Sequence, residues 1–369
     1  MKRILFITPY APSNLGAAMK FTKKTIENLA DSFLVDLVYF KAEGEFDYVP
    51  DNGNIRVIKK LTVGRKDRLI SVLQRPWLYP IFSVRYRKKL AKELKRLARE
   101  GNYNLVFLDH SQSFIYGRLF PLVPKILMSH DVIYQRVSRT SGFLLSEWCK
   151  LTENKMMNQK NSFIYSFSTK DQQIIKSQYG YNSYVTSGNV DELVLSTNPT
   201  VISDTFVFFG QWVRKDNSEG LIWFFDNVYP HIKSSFFFKI IGRGLPQSIL
   251  DKIRDCNNVD YMGFVDNPYQ IIAEARAVLS PLFSGAGVKF KVLESMACGT
   301  PVIGSEIAFE GIPTEYSSLM IQSNTIEDYL LAMENVTKDI TKRQSIREKF
   351  LNNYVKSQLV EHIKQIIGQ

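Results

Sequence analysis

The stretch SGAGVKFKVLESMACGTPVIGSE, residues 284–306, contains residue types that can bind phosphate. Gly285 and Gly287 would let the backbone approach a ligand closely, because glycine has no Cβ. The free N–H groups at the start of the following helix favour an anion there. Lys289 and Lys291 add positive charge nearby. This pattern predicts a binding site for a diphosphate group.

Glu294 is the one acid in the helical part of this stretch. It lies seven residues beyond Gly287, which corresponds to about 10 Å along a helix. At that distance from a diphosphate, a carboxylate could accept two hydrogen bonds from the vicinal hydroxyls of a ribose. A structural alternative stays open, because Lys291 and Glu294 are spaced to form a weak surface pair. Glycine loops before helices are also common.

The same stretch contains signals for a strand, a helix and a stop. The run AVLSPL predicts a strand that ends at Leu282, and the glycine loop follows it. The helix is expected to begin near Val288 and to end at about Cys298. Gly299 could adopt the left-handed conformation that terminates helices, and Pro301 would prevent continuation. Together these signals indicate a βαβ unit.

Short apolar runs alternate with helical patterns along the chain, which is typical of parallel sheets covered by helices on both faces. A polar, proline-containing stretch over residues 188–204 interrupts this alternation. We therefore predict an α/β protein with two doubly wound, Rossmann-like domains facing a central cleft, where such sheets bind ligands. The expected boundaries are 1–190, 191–340 and, for a C-terminal helix that packs back on the first domain, 341–369.

Composition indicates a folded protein, because 45% of the 369 residues are apolar and 22% are charged. The three cysteines lack CxxC spacing, which argues against a disulfide framework or a zinc site and favours a cytoplasmic setting. The N-terminal apolar run is too short for a signal peptide, and no stretch reaches the roughly 18 apolar residues of a membrane span. A soluble or peripheral protein is expected.

Positive charge is concentrated in one region. Residues 56–99 contain fifteen Lys or Arg residues against two acids. Such a run could attract an anionic membrane or a nucleic acid, or it could be a solvated helix face. The segment RPWLYPIF, residues 75–82, places Trp and Tyr among apolar residues beside these charges, which favours peripheral membrane contact.

The run GAGVKFKVLESMACGTPVIGSEIAFEGI, preceded by SPL, resembles the donor-site signature of GT-B glycosyltransferases of family four. The similar subgroup has a Gly-Val-Lys-x-Lys-x-x-Glu core. FVFFGQWVRKDNSEGLIWFFDNVYP, FKIIGRG and VDYMGFVDN resemble further parts of the second domain, in family order. The resemblance is strongest over residues 205–312 and weaker over 1–190.

The resemblance implies a retaining, hexosyl-type transferase that moves a sugar from a nucleotide-diphosphate sugar to a glycan or lipid-linked acceptor in bacterial surface polysaccharide assembly. It implies no cofactor and no metal, an acceptor-binding first domain and a nucleotide-sugar-binding second domain. Nucleic acid is not an expected partner, because the chain lacks a recognisable nucleic-acid-binding module.

The resemblance also indicates roles for individual residues. Glu294 matches the acid that holds the ribose hydroxyls, and the backbone from Gly287 to Phe290 matches the phosphate-binding segment. Phe264 and Val265 match the loop that flanks the nucleobase. The complete set of expected donor-binding residues is Gly16, Arg214, Lys215, Gly242, Phe264, Val265, Gly285, Gly287, Val288, Lys289, Phe290, Lys291 and Glu294.

His130, which ends the run KILMSH, matches the first-domain histidine near the transferred sugar and is the expected catalytic residue. A lone histidine is more often structural, but His130 follows a predicted strand. His110 follows the run NLVFLD and could reach the same cleft. Gly16 lies in a loop that resembles the family's glycine loop after the first strand, although it could equally mark a helix start.

The sequence departs from the family pattern in two places. Ala286 stands where many members have a glutamate that contacts the donor hexose. Gln211 and Asp216 stand where many have an arginine and a lysine, and Arg214 and Lys215 lie close enough to substitute for these. The alternatives to an active transferase are an inactive donor-binding homologue, a two-domain nucleotide-sugar epimerase, and a nucleic-acid-binding protein whose glycine loop is only structural.

Overall fold

The computed structural model describes residues 1–14, 16–186, 192–197, 202–232, 236–354 and 358–368. The chain divides into two compact units, one of residues 1–187 with 357–369 and the other of residues 188–356. The predicted boundary between residues 190 and 191 lies outside the described residues. Residues 341–356, assigned from the sequence to the C-terminal segment, are part of the second unit.

The first unit is built on a seven-stranded parallel sheet with strand order β3-β2-β1-β4-β5-β6-β7. Its buried apolar strands alternate with helices in the predicted way, so the sheet is doubly wound. The strands are β1 (Arg3–Thr8), β2 (Leu34–Ala42), β3 (Ile55–Val63), β4 (Leu105–Asp109), β5 (Lys125–Met128), β6 (Ser162–Ser166) and β7 (Ser183–Val185).

Helices α1 to α7 and the last helix complete the first unit, together with a 3₁₀ helix over Ser111–Leu119. They are α1 (Ala17–Ala30), α2 (Arg65–Leu73), α3 (Pro80–Ser83), α4 (Lys88–Glu100), α5 (Ile133–Thr140), α6 (Phe143–Met157), α7 (Thr169–Tyr179) and α15 (Leu359–Ile366).

Strand β3 was not predicted, because its charged residues made it indistinguishable from the rest of the basic run. It is an edge strand of the sheet, so that one face and one backbone edge of the strand contact solvent. Arg56 pairs with the buried carboxylate of Asp36 at 2.9 Å, and Lys60 pairs with Asp47 at 2.6 Å. Part of the basic run is therefore neutralised within the first unit.

The second unit contains a six-stranded parallel sheet with strand order β10-β9-β8-β11-β12-β13. The strands are β8 (Thr205–Phe209), β9 (Phe237–Ile241), β10 (Val259–Gly263), β11 (Ala277–Ser280), β12 (Val302–Gly304) and β13 (Met320–Gln322). The helices are α8 (Glu192–Leu195), α9 (Lys215–Trp223), α10 (Gln247–Ile253), α11 (Tyr269–Glu274), α12 (Phe290–Ala297), α13 (Ile326–Asn335) and α14 (Ile340–Tyr354).

The predicted stop at Gly299 is confirmed. Gly299 has φ +79°, its N–H donates to Met296 O at 2.9 Å, and the Thr300 N–H donates to Ser295 O at 3.1 Å. These two hydrogen bonds form a Schellman motif, which satisfies carbonyls at the end of α12. The start of α12 is two residues later than expected, at Phe290, because Lys289 is still extended.

Candidate functional site

The glycine loop of the second unit turns between β11 and α12. Gly285 has φ +118° and Gly287 has φ +69°, values that favour glycine. Lys289 is the N-cap residue of α12, and the first turn of this helix has no acidic side chain. The positive end of the helix dipole at the carboxyl edge of the sheet is therefore not offset by an acid of the helix itself.

The two lysines of the loop point to different partners. Lys289 Nζ donates to Gly287 O at 2.7 Å and lies 3.7 Å from Glu310 Oε2. Lys291 Nζ donates to Asn217 Oδ1 at 2.9 Å. It also lies 3.7 Å from where a Cβ on Gly210 would be, so it reaches the carboxyl end of β8. Lys291 therefore contributes its charge to a different segment from that of Lys289.

The two cations that follow β8, Arg214 and Lys215, lie in different surroundings. Arg214 forms a bidentate pair with Asp216, with distances of 3.1 Å from Nε to Oδ1 and 2.6 Å from Nη2 to Oδ2. Asp216 Oδ2 lies 3.8 Å from where a Cβ on Gly285 would be, so this pair adjoins the glycine loop. The side chain of Lys215 is 87% exposed and pairs with Glu219. Arg214, unlike Lys215, is thus brought to the loop.

Glu294 is buried on α12 and accepts a hydrogen bond from the hydroxyl of Tyr269 at 3.0 Å. Tyr269 is fully buried at the start of α11. The surface pair considered for Lys291 and Glu294 does not form, because Lys291 extends to Asn217 instead. Glu294 is therefore a positioned carboxylate rather than half of an exposed pair.

The strand ends of β8, β9 and β10 are held close together. A Cβ on Gly242 would lie 1.7 Å from Gly210 O, and the Gly242 N–H donates to Gly263 O at 2.7 Å. Gly242, with φ +127°, is thus required by this close approach.

An exposed ring lies just beyond these strand ends. The guanidinium of Arg243 lies 4.1 Å from the ring centroid of Phe264, which is itself exposed, and Val265 is half-buried beside it. A flat, partly cationic surface of this kind can stack on a planar ligand. The sequence reasoning identified Phe264 but missed Arg243.

In the first unit, a buried carboxylate meets two histidines at the carboxyl edge of the sheet. Asp109, at the end of β4, lies 2.7 Å from His130 Nε2 and accepts hydrogen bonds from the hydroxyls of Thr8 at 3.0 Å and Thr22 at 2.6 Å. The rings of His110 and His130 are stacked with centroids 3.4 Å apart. The sequence predicted His130 and considered His110, but it missed Asp109.

The charge state of this cluster follows from its contacts. Burial raises the pKa of Asp109, but the charges of His110 and His130 and the hydrogen bonds lower it to about 2. Burial and the neighbouring His130 lower the pKa of His110 to about 3. Because an ionised Asp109 can only accept hydrogen bonds, His130 Nε2 carries the proton that faces it.

The ligand atoms of Asp109, His110 and His130 lie within 4.8 Å of one another, and no other such group occurs in the part of the chain that the structure describes. The two imidazole planes are inclined by only 15°. A nitrogen lone pair lies in its ring plane, so two stacked rings cannot direct theirs at one ion. This donor set does not fit a metal centre.

The segment after His130 is fixed by a residue that the sequence reasoning missed. The carboxylate of Glu153 accepts the backbone N–H groups of Ile133 and Tyr134, each at 2.9 Å, and the hydroxyl of Tyr179 at 2.7 Å. Glu153 therefore holds the first turn of α5 next to His130. Gly16, in contrast, is the extended N-cap residue of α1, and its carbonyl accepts the Lys20 N–H at 2.8 Å.

The first unit also carries exposed apolar side chains beside basic ones, a region that we call the α2–α6 surface. The indole N–H of Trp148 on α6 donates to Trp77 O at 3.1 Å, which joins the two parts of this surface. Its exposed apolar residues are Leu69, Ile70, Leu73, Trp77, Phe143, Leu144, Leu145 and Leu151. No helix in the described ranges is both long and apolar enough to cross a bilayer.

The segment that contains the glycine loop, Lys291 and Glu294 is also shared with known proteins. Residues 203–339 match the family described as "Glycosyl transferases group 1". The resemblance to these transferases is confirmed over this segment, which is less than half of the chain. We call residues 203–339 the group 1 domain, and its assignment to a family-four subgroup stays a prediction.

A curated protein that is similar to part of this chain is an "Uncharacterized 44.6 kDa protein in cps region" from Klebsiella pneumoniae. The two are 25% identical over 150 residues, which covers 38% of this chain. The match spans 39% of the relative's own length.

Solved structures resemble the whole chain. HepE from Anabaena in complex with UDP has a TM-score of 0.69 and 15% identity, with 100% of this chain and 98% of HepE covered. HepE is also known in complex with UDP-glucose. WaaG, "a glycosyltransferase involved in lipopolysaccharide biosynthesis", has a TM-score of 0.68 and 12% identity over 99% of this chain and 100% of WaaG. These identities show the fold alone, and the predicted α/β fold of the GT-B class is confirmed.

Lys291, in the group 1 domain, leads to a prediction about how ligand affinity depends on pH. Burial lowers the pKa of Lys291 to about 7, with Asp216 opposing and Arg214 and Lys289 reinforcing this effect. If the glycine loop binds a diphosphate, that ligand favours the protonated amine, so affinity for a nucleotide such as UDP should be full below pH 7 and fall as the pH rises through this value. The fall should be at most about tenfold per pH unit.

Isothermal titration of UDP between pH 6.5 and 9 measures this dependence. Lys291→Met should bind UDP more weakly and show a flat profile over the same range. Lys252→Met, which changes an exposed lysine on α10, is the matched control. An identical slope in the wild type and in Lys291→Met would assign the titration to another group.

Proposed function

We propose that this protein is a retaining glycosyltransferase that moves a hexose from a nucleotide-diphosphate sugar to a hydroxyl of a glycan or lipid-linked acceptor. The group 1 domain would bind the donor, and the first unit would bind the acceptor. His130, oriented by Asp109, would contact the transferred sugar.

The observation that carries this proposal is the arrangement around α12. The glycine loop precedes a helix N-terminus, Lys291 Nζ reaches the end of β8, and Glu294 lies buried further along the same helix. This order suits a diphosphate followed by a ribose. HepE, which shares the fold, is known in complexes with UDP and with UDP-glucose.

We further propose that the reaction needs no metal ion and no cofactor. The positive end of α12 and the ammonium groups of Lys289 and Lys291 would offset the charge that develops on the departing diphosphate. Arg214 adjoins the same loop through Asp216 and would add a bidentate contact. These cations would take the place that a divalent ion has in metal-dependent transferases.

A role in surface polysaccharide assembly, at the cytoplasmic face of a membrane, is part of this proposal. WaaG is described as involved in lipopolysaccharide biosynthesis, and the Klebsiella relative as lying in a cps region. The α2–α6 surface combines exposed leucines and a tryptophan with cations such as Arg65 and Lys66. Such a surface suits an anionic bilayer.

A thermal-shift screen of nucleoside diphosphates and their sugars tests the donor assignment. A ligand present at about a hundred times its dissociation constant adds about 2.7 kcal/mol to the free energy of unfolding. We expect such a shift for one nucleotide and its sugar, followed by enzymatic release of the nucleoside diphosphate from that sugar. Silence across the whole panel would contradict donor binding. If a nucleotide sugar binds but is not turned over with any of the acceptors tried, the inactive homologue would be favoured.

A further inference from the structure

Arg85 is a nearly buried cation that has no carboxylate at ion-pair distance among the residues that the structure describes. The residue is 7% exposed, and its Nε donates to Pro9 O at 3.1 Å. In the described part of the chain its guanidinium forms no ion pair with a carboxylate. A guanidinium has five N–H donors. The side-chain atoms that are both fully buried and without a partner do not include the terminal nitrogens of Arg85. They therefore remain available to a ligand from solvent.

The charges around Arg85 are mostly positive as well. Burial lowers the pKa of Arg85, and the charges of Arg68 and Arg87 lower it further against the opposing effects of Tyr10 and Glu45. The carboxylate of Glu45 is already engaged by a backbone N–H at 2.6 Å. We call Arg68, Arg85 and Arg87 the arginine cluster. Arg87 Nη2 lies 3.9 Å from Asp67 Oδ1 on α2, so Arg85 is the member of this cluster whose buried charge most needs an anion.

The backbone of the arginine cluster is held rigidly. The buried hydroxyl of Tyr116 donates to Arg85 O and accepts the Arg87 N–H, both at 2.8 Å. Arg87 Nη1 donates to Ser71 Oγ on α2. Guanidinium groups that are fixed before a ligand arrives lose little entropy on binding it.

The arginine cluster lies at the same edge of the sheet as the histidines. Pro9, which accepts the Arg85 hydrogen bond, follows directly after β1. The Arg85 guanidinium lies 5.7 Å from the ring centroid of Tyr10, and that ring packs edge-on against His110 at 5.0 Å. A molecule bound by Arg85 would thus lie near the stacked pair of His110 and His130.

We propose that the arginine cluster binds a phosphate or diphosphate group carried by the acceptor. Arg fork geometry matches phosphate oxygens in a bidentate manner. The identification of the ligand as the acceptor rests on the proposed function. The anion site itself does not depend on that function. The phosphate could belong to a soluble sugar phosphate or to a lipid-linked diphosphate, whose chain would follow the apolar residues of α2.

Titration calorimetry on the full chain tests the site, with UDP at saturation to occupy the donor site. The probes are inorganic pyrophosphate, farnesyl diphosphate and uncharged farnesol. We expect at least one diphosphate probe to bind the wild type, Arg85→Met to weaken it tenfold or more, and Arg68→Ala to weaken it threefold or more. Tighter binding of farnesyl diphosphate than of pyrophosphate indicates a lipid-linked source, and equal binding a soluble one.

Arg96→Ala is the matched control, because it removes one positive charge from a side chain that is 75% exposed on α4. It should bind the diphosphate probes within twofold of the wild type. Arg68 is exposed, so Arg68→Ala keeps the test decisive if Arg85→Met does not fold. Diphosphate binding that is absent from the wild type, or unchanged in every folded cluster variant, overturns the proposal.

UDP affinity measured on the same samples separates the two proposals. Intact UDP binding with arginine-independent diphosphate binding would contradict the acceptor site alone. Arginine-dependent diphosphate binding without any nucleotide binding would contradict the donor assignment and leave the anion site in place.

Discussion

Asp109→Asn is expected to lower kcat by about 100-fold or more, since a misplaced group beside the reacting sugar can cost about that much. Asp109 is fully buried and ionised, and its carboxylate fixes the proton of His130 on Nε2. An asparagine can present an N–H to this nitrogen, which would favour the other tautomer and place the ring's single proton on Nδ1 instead. The measurement is steady-state release of nucleoside diphosphate from the donor sugar.

Two further readouts distinguish a positioning role from a loss of structure. UDP affinity should be unchanged in Asp109→Asn, because the residues proposed to bind the diphosphate and the ribose, Gly287 to Lys291 and Glu294, lie in the group 1 domain. The free energy of unfolding should fall by about 1–3 kcal/mol, which thermal denaturation can measure. Asp51→Asn, at an exposed site in the same unit, should leave both quantities and kcat unchanged. Full turnover in folded Asp109→Asn would remove His130 and Asp109 from the reaction.

Glu294→Ala is expected to weaken UDP binding by about 1–3 kcal/mol, because charge-assisted hydrogen bonds to the ribose would be lost. This corresponds to roughly 5- to 150-fold in the dissociation constant. Tyr269→Phe removes only the hydroxyl that donates to Glu294 Oε1, so it should have a smaller effect. Isothermal titration calorimetry of UDP measures both variants.

A ligand without ribose hydroxyls makes this test specific. The 2′,3′-dideoxy form of UDP should bind the wild type and Glu294→Ala equally weakly, since the missing contact is the same one. Glu306→Gln, at an exposed position in the same unit, is the matched control. A dideoxy ligand that still distinguishes the wild type from Glu294→Ala would mean that Glu294 acts on another part of the nucleotide.

The sequence alone predicted those features of the site that depend on residues close together along the chain. The positive φ angle of Gly299 follows from local capping rules, so it could be predicted from spacing, whereas Gly285 and Gly287 were identified only as places where the backbone can approach a ligand closely. The strand β3 could not be predicted, because at a sheet edge its side chains need not be apolar. Its register on β2 is a property of the whole sheet.

Contacts between distant segments were beyond local rules. Asp109 was visible only as the last residue of an apolar strand, and nothing in its neighbours indicated that Thr22 and His130 would converge on it. The same is true of Lys291 with Asn217, which are 74 positions apart. Arg85 was one cation among fifteen in the basic run, and only its burial distinguishes it.

The Arg214–Asp216 pair has a consequence for ligand choice. An arginine with a bidentate carboxylate partner is open to a ligand only if that ligand competes with the carboxylate. A monoanion offers little advantage over Asp216, whereas a diphosphate brings more charge and more acceptor oxygens to the same place. The side chain of Asp216 is thus an internal competitor, which would make the loop after β8 discriminate among anions by their charge.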